Sequence, residues 1–137
     1  MADVAVAIRS ILLADTDITS LVGQRIYADR LPQNATIPAV EVTWLYDVPW
    51  MLLGDISGLT KARVQLNCIA ATRAAARAIA KTIRTSGLAA TKGYFSSVWI
   101  RGVAVESSFD ADIESSDGTD DQRKQTSVDL QVDYSEI

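Results

Sequence analysis

The side chains of this chain that could do chemistry are carboxylates, hydroxyls and a single thiol, because the sequence contains no histidine. Histidine is the commonest general base and metal ligand, so its absence removes every Ser-His and Cys-His arrangement for nucleophilic catalysis. The sequence also lacks the glycine-rich loops that cradle phosphates and the GxSxG turn that carries a nucleophilic serine. It therefore predicts a protein that is not an enzyme and that binds no cofactor.

The carboxylates are concentrated in one late segment, which holds Asp110, Asp112, Glu114, Asp117, Asp120 and Asp121. A calcium-binding loop needs its ligands at fixed offsets around a central glycine, and Gly118 does not stand at the required position. We interpret the segment as a solvated acidic connection or a contact with a partner, and we predict no metal site.

The only cysteine, Cys68, alternates with Val64 and Leu66 along a run that has the period of a strand. A thiol in such a row is expected to be a small buried core residue and not a nucleophile. One cysteine also excludes an internal disulfide, which favours synthesis in a reducing cytoplasm.

Basic residues precede the acidic segment. No acidic residue interrupts the eight Lys and Arg residues from Lys61 to Arg101, whereas ten acidic and two basic residues follow from Glu106 onward. Four of the basic residues recur at helical spacing and share one helix face; they are Arg73, Arg77, Lys81 and Arg84. The net charge of −4 disfavours a protein that wraps nucleic acid, since such binding needs surplus Lys and Arg.

Hydrophobic periods and capping signals predict the elements that position these residues. The predicted helices are residues 3–14 with Asp3 as N-cap, 18–22 after Asp15 or Asp17, and 72–86 with Thr72 as N-cap and Ala75, Ile79 and Ile83 as packing face. The predicted strands are residues 25–28, 39–47, 60–70, 98–108 and 126–134. Residues 48–58 are interpreted as an apolar tip between turn residues, and residues 88–97 as irregular.

The order of these elements predicts an α+β fold in a single domain, residues 1–137. Alternating strands favour a mostly antiparallel sheet in two layers, with two main α-helices packed on one face and water on the other. We expect no signal peptide, because the N-terminus has no basic start and no apolar run of sufficient length. We expect no membrane partner, because no run of about 18 uncharged apolar residues occurs.

Two groups of apolar residues lie outside the predicted core. Val6 and Leu13 lie roughly opposite the main apolar face of the first helix, where a loop or a neighbouring subunit would cover them. The tip residues Trp50, Met51, Leu52 and Leu53 are too apolar for a free loop. We predict that the tip contacts a neighbouring subunit or another protein, and the alternative is that it folds back on the first helix.

Four segments in this order resemble the tail-completion, or tail-terminator, proteins of long-tailed, siphovirus-like bacteriophages and phage-derived particles. They are LVGQRIY at 21–27, LPQ at 31–33, IPAV at 37–40 and SGLTKARVQLNC at 57–68, followed by a helix rich in Ala and Arg. The resemblance covers the first two-thirds of the chain, and the last 40 or so residues match only in general character.

The resemblance implies a structural virion protein, made in the host cytoplasm, that forms a hexameric ring at the head-proximal end of the tail tube. The ring would end tube polymerisation and join the tail to the head connector. Its implied partners are further copies of the chain, the tail tube protein and the head connector or head-completion protein. DNA would pass through the ring without sequence-specific binding. The family implies no catalytic residues.

A head-to-tail ring needs two complementary patches on each subunit, and opposite charges supply them. We therefore predict that the basic helix face of one subunit meets residues 110–121 of the next. The alternatives are a solvated basic face, a contact of the acids with the helix of their own chain, and acids that line the lumen.

Two other classes of function remain open. In the first, a small α+β domain binds nucleic acid on its sheet face, where Trp44, Tyr46 and Trp99 would stack on bases. Aromatic residues of an alternating strand are, however, more often core. The second is a ligand-binding regulatory domain, for which the sequence carries no pocket signature.

Overall fold

The computed structural model describes residues 3–29, 32, 36–52, 55–86, 88, 91–95, 98–112 and 123–136, with the backbone alone at 49–52, 55–59, 112 and 136. Within them lie the helices α1 (Val4–Leu13), α2 (Thr16–Val22) and α3 (Arg73–Thr85). The strands are β1 (Ile26–Ala28), β2 (Ala39–Leu52), β3 (Asp55–Ala70), β4 (Gly93–Phe95), β5 (Val98–Asp112) and β6 (Lys124–Glu136).

Each helix begins at a side chain that accepts hydrogen bonds from free backbone N–H groups. The carboxylate of Asp3 accepts from the N–H of Val6 at 3.2 Å, and the hydroxyl of Thr72 accepts from that of Ala75 at 3.1 Å. Asp15 caps α2 in the same way. Gly23 ends α2 at a φ of 61°, a conformation that favours glycine. The predicted caps at Asp3 and Thr72 are confirmed.

The strands form one six-stranded sheet in the order β1-β2-β3-β6-β5-β4. All neighbours are antiparallel except β1 and β2, which are parallel. Helix α3 packs on β3, β5 and β6, while α1 contacts β1 and β2 at one side of the sheet and β4 at the other. The sheet is therefore curled around its helix layer. The predicted α+β class, with helices on one face, is confirmed.

Alternation along the two central strands sorts side chains between the covered and the open face of the sheet. Val64 and Leu66 of β3 and Leu130 of β6 point toward the helices and are fully buried. Fully burying one such side chain stabilises the fold by about 1.5–3 kcal/mol. On α3 the buried set is Ala76, Ile79, Ala80 and Ile83, and the predicted contribution of Ala75 is wrong because that residue faces solvent.

The β2–β3 and β5–β6 hairpins extend further than their hydrophobic pattern indicates. The ladder between β2 and β3 continues through the predicted tip to the pair Leu52–Asp55, and β5 runs on to Asp112. The segment 88–97, predicted to be irregular, contains β4. Backbone pairing needs no alternating pattern, so hydrophobic period underestimates strand length where both faces are exposed.

Bulges change which side chains face the open side of the sheet. Trp44 pairs with Val64 and Tyr46 with Arg63, so Leu45 is an extra residue that reverses the alternation of β2. Tyr46, which the pattern placed beside Trp44, therefore points to the open face and is 51% exposed. Arg101 and Glu106 are the corresponding extra residues of β5.

The burial of Cys68 predicts its reactivity. Burial raises the pKa of the Cys68 thiol to about 12, so almost no thiolate is present at pH 8. We expect the native protein to react with Ellman's reagent only after unfolding, and the Cys68→Ala variant to lose about 1 kcal/mol of stability. Rapid stoichiometric labelling of the folded protein would contradict this burial.

Candidate assembly surfaces

The N-terminal half of the basic row on α3 is bound to β5 and β6 of the same chain. Nε of Arg77 donates to Oδ2 of Asp110 at 3.1 Å, and its Nη2 donates to the same oxygen. Nη1 of Arg73 donates to the backbone carbonyls of Ala111 at 3.2 Å and Gln125 at 2.8 Å. These hydrogen bonds hold α3 against the end of β5 and the beginning of β6.

Asp110 is the acceptor on which this cluster converges. The hydrogen bonds from Arg77 and from the hydroxyl of Thr126, 2.9 Å away, lower the pKa of Asp110 to about 2. Arg73, whose Nη1 lies 4.0 Å from the carboxylate, adds a favourable charge. The bond to Asp110 also raises the pKa of Arg77. Both partners are therefore charged at neutral pH.

The C-terminal half of the row has a different environment. Lys81 and Arg84 are exposed, and neither makes an ion pair within the described part of the chain. Asp112 is described only in its backbone, and Glu114 and Asp117 lie outside the described residues. The structure thus brings Arg73, Arg77 and Asp110 together within one chain, while a contact between subunits through this row stays a prediction.

The open face of the sheet carries large exposed apolar side chains, a feature that sequence reasoning found only in part. By strand register, those on this face are Tyr46, Val48, Tyr94, Trp99 and Phe109. The rings of Tyr94 and Trp99 lie 6.3 Å apart, and the guanidinium of Arg101 lies 5.6 Å from the Trp99 ring centre. Trp44 instead points inward against Tyr134.

Polar side chains also lie on the open face. The hydroxyl of Ser127 donates to Oδ1 of Asn67 at 2.8 Å, and Nδ2 of Asn67 donates to Glu41 at 2.9 Å. Lys61 and Arg63 point to the same side at the level of Val48 and Tyr46. Because Ser127 and Asn67 bond to each other, their burial on this face costs little.

The predicted apolar tip is the end of a two-stranded arm. The last pair of β3 with β6 is Leu59–Ser135, whereas β2 and β3 pair with each other as far as Leu52–Asp55. The side chains of Trp50, Met51 and Leu52, and all of Leu53, lie outside the described residues, so their contact with a neighbour stays a prediction.

The second apolar side of α1 is partly covered. Leu13 packs against the core while remaining partly exposed, and Val6 is also only partly buried. Among the described residues no group of three His, Cys, Asp or Glu side chains could hold a metal ion. No described helix has the length and apolar character to cross a bilayer.

The fold is thus an α+β one whose open sheet face exposes aromatic side chains. Residues 6–101 match the family described as tail completion protein gp17. This match spans well over half of the chain, so the chain belongs to the tail completion protein gp17 family. It is a structural protein of the phage virion, located in the tail. The resemblance seen in the sequence is confirmed.

A solved structure is similar to the whole chain. It is a chain from the virion of a native gene transfer agent particle, with a TM-score of 0.75 and 15% identity over 94% of this chain and 92% of that one. At this identity the similarity is one of fold. The comparison with curated proteins gave no match.

The hydrogen bonds to the Asp110 carboxylate predict that the free energy of unfolding of the protein depends on pH. The pKa of Asp110 is lower in the folded protein, about 2, than its ordinary value of 3.8. The contribution of the ionised Asp110 carboxyl to the stability of the folded protein is therefore complete above pH 3.8 and is lost as the pH falls through about 2. We expect Asp110→Asn to be less stable than the wild type at pH 7, and we expect this difference in stability, measured by urea unfolding, to shrink as the pH falls from 3.8 towards 2.

Asp29→Asn serves as the control, because Asp29 is exposed and its φ of 73° suits asparagine as well. A destabilisation of Asp110→Asn that stays constant from pH 7 to pH 2 would show that ionisation of this carboxyl is not what holds the hairpin.

Proposed function

We propose that this protein forms a ring at the head-proximal end of the tail tube, with the six subunits that the family resemblance implies. In this position it ends tube polymerisation and joins the tail to the head connector. It acts through its surfaces and catalyses no reaction. Its partners are further copies of the chain, the tail tube protein and a head connector or head-completion protein.

The observation that carries the proposal is the distribution of exposed apolar side chains. The open sheet face holds Tyr46, Val48, Tyr94, Trp99 and Phe109, each at least 37% exposed. Aromatic residues beside arginine are typical of the buried centre of protein interfaces. A sheet face of this kind is stabilised when another protein covers it.

Charge supports a contact between successive subunits. Because Arg73 and Arg77 are already bound to Asp110 and its neighbours, the part of α3 left for a second subunit is Lys81 and Arg84. Residues 113–121 supply four carboxylates and no basic residue. Each exposed ion pair contributes only about 0–1 kcal/mol, so such a contact sets register more than it provides affinity.

The net charge of the subunit bears on how DNA would pass through the proposed ring. A subunit with a net charge of −4 lacks the surplus of Lys and Arg that binds the phosphate backbone tightly. We infer that DNA moves through the ring without sequence-specific contacts.

A second candidate function is nucleic-acid binding on the open sheet face. It is favoured by Tyr46 and Trp99, which lie on that face with Lys61 and Arg63. The acidic residues Asp129 and Asp133, which lie on the same face in the neighbouring strand β6, weaken it. Titration of tryptophan fluorescence with oligo(dT) distinguishes the two, since salt-sensitive quenching that is lost in Trp99→Leu would favour this candidate.

Assembly of the purified protein tests the proposal. We expect a closed oligomer by size-exclusion chromatography with light scattering, or rings capping tail tubes in electron micrographs after mixing with tail tube protein. Tubes that keep growing at their normal rate and length in the presence of excess protein would contradict the proposal.

Charge reversal tests the contact between subunits. We expect Lys81→Glu with Arg84→Glu to prevent ring formation at low salt, because both residues are exposed and their loss leaves the Asp110 cluster intact. Adding Glu114→Lys and Asp117→Lys in the same chain should partly restore assembly. The control, Asp17→Lys with Glu106→Lys, reverses two charges at exposed positions outside α3. Normal assembly of the first variant would show that this end of α3 is only solvated.

A further inference from the structure

The short outer strands β1 and β4 leave most of the edge of their neighbours open. β1 pairs with residues 40–42 of β2, and β4 pairs with residues 98–100 of β5. No other described strand pairs with the remainder of either edge, which is residues 43–52 of β2 and 101–112 of β5. An open edge presents a row of backbone N–H and C=O groups and is a ready template for pairing with another strand.

The covered part lies at the start of each strand, which makes the two edges complementary. β2, β3, β6 and β5 follow one another in the sheet and each neighbouring pair is antiparallel, so β2 and β5 of one subunit run in opposite directions. Two copies with the same orientation can therefore place β2 of one beside β5 of the other as an antiparallel pair. When the open parts face each other, β1 lies beyond the end of β5 and β4 lies beyond the end of β2.

The two faces of the sheet restrict the register of such a pair. In a continuous sheet, residues directly opposite each other lie on the same face. Tyr46 and Phe109 both lie on the open face and are 51% and 43% exposed. Placing them opposite each other also puts Val48 opposite Ser107 on that face. Large apolar side chains that are exposed in the free subunit would then cover each other across the junction.

A shift of two residues, the smallest that keeps the faces matched, is unfavourable in either direction. One direction brings Asp47 opposite Asp110, and like charges directly opposite each other destabilise a strand pair. The other direction brings residues 110–112 of β5 into the position that β1 occupies beside residues 40–42. The register with Tyr46 opposite Phe109 is therefore the favoured one.

We infer that β2 of one copy adds to the edge of β5 of the next copy, with residues 44–48 antiparallel to residues 107–110. This inference rests on the proposed ring and names a contact that holds it together. Because two different edges meet, the contact is head-to-tail and every copy offers one of each. Closing a sheet requires strands that tilt against the axis and a shift of register around it. The shift of successive copies along their strands that β1 and β4 impose is of this kind.

The paired stretch is bounded at both ends by the chain itself. Pro49 has no backbone N–H, so the ladder of hydrogen bonds ends after Val48. The carbonyl of Ala111 already accepts a hydrogen bond from Arg73, so the ladder on β5 ends at Asp110. A ladder this short stabilises the assembly together with the apolar side chains beside it.

Disulfide formation between copies tests the register. Val48→Cys protein mixed with Ser107→Cys protein should give a disulfide-linked pair on mild oxidation, and neither protein should give one alone, because the two positions meet only across the joined edges. Both positions are exposed, and the buried Cys68 thiol does not compete. The matched control is Thr43→Cys with Ser107→Cys. These two positions are level along the strands of one subunit, so they would be linked only if the copies met without a shift.

Hydrogen exchange of the wild-type protein tests the backbone pairing itself. The outward-pointing amides of residues 44–48 and 107–110 are open in the free subunit, and we expect their exchange to slow by at least about tenfold on assembly. The amides of β4, residues 93–95, lie outside the contact and serve as the internal control. Equal exchange rates of the two stretches in the free and the assembled protein would overturn the inference.

The outcomes separate this inference from the proposed function. Rings that form without a disulfide between positions 48 and 107, or with one between positions 43 and 107 instead, would overturn the edge pairing and leave the ring standing. Failure of the wild-type protein to form rings, alone and with tail tube protein, would overturn both.

Discussion

The antiparallel pairing of β3 with β6 is the constraint on which the rest of the structure depends. It joins the middle of the chain to its last strand, from Leu59 with Ser135 to Ala70 with Lys124. Once this register is set, Val64 and Leu130 point toward the helices while Arg63 and Gln131 point to the open face. A slip of one residue would exchange the two faces, so burial of the apolar set fixes the register.

The two faces that result have different surroundings. The helices cover one face and complete the core, while the other remains open with aromatic residues around a hydrogen-bonded polar centre. The bulges at Leu45 and Arg101 shape this open face, because each reverses the alternation of its strand. A single subunit thus completes one core and leaves the other face of its sheet exposed.

The Asp110 cluster connects the sheet to α3 in a way that charge pattern alone does not reveal. Arg77 and Arg73 reach from the helix to the end of the β5–β6 hairpin, and the hydroxyl of Thr126 donates a further hydrogen bond to Asp110. The hairpin is therefore anchored close to the point where the acidic segment begins. Two basic residues of the same helix row, Lys81 and Arg84, remain for other contacts.

The sequence by itself determined the features that depend on neighbours along the chain. Helix caps at Asp3 and Thr72 and the inward sets of the central strands follow from local hydrogen bonds and periodicity. The absence of histidine excluded whole classes of catalysis, and short segments in order indicated the family. These signals need no knowledge of how distant residues meet.

Only the tertiary structure decided the features that depend on distant partners. Tyr46 faces outward because β3 continues in register past the extra residue Leu45. Arg77 bonds to Asp110 because the hairpin returns beside α3, and the solvent-facing position of Ala75 follows from how α3 lies on β3, β5 and β6. Bulges, ion pairs and helix orientation are set by contacts across the sheet, which no local pattern encodes.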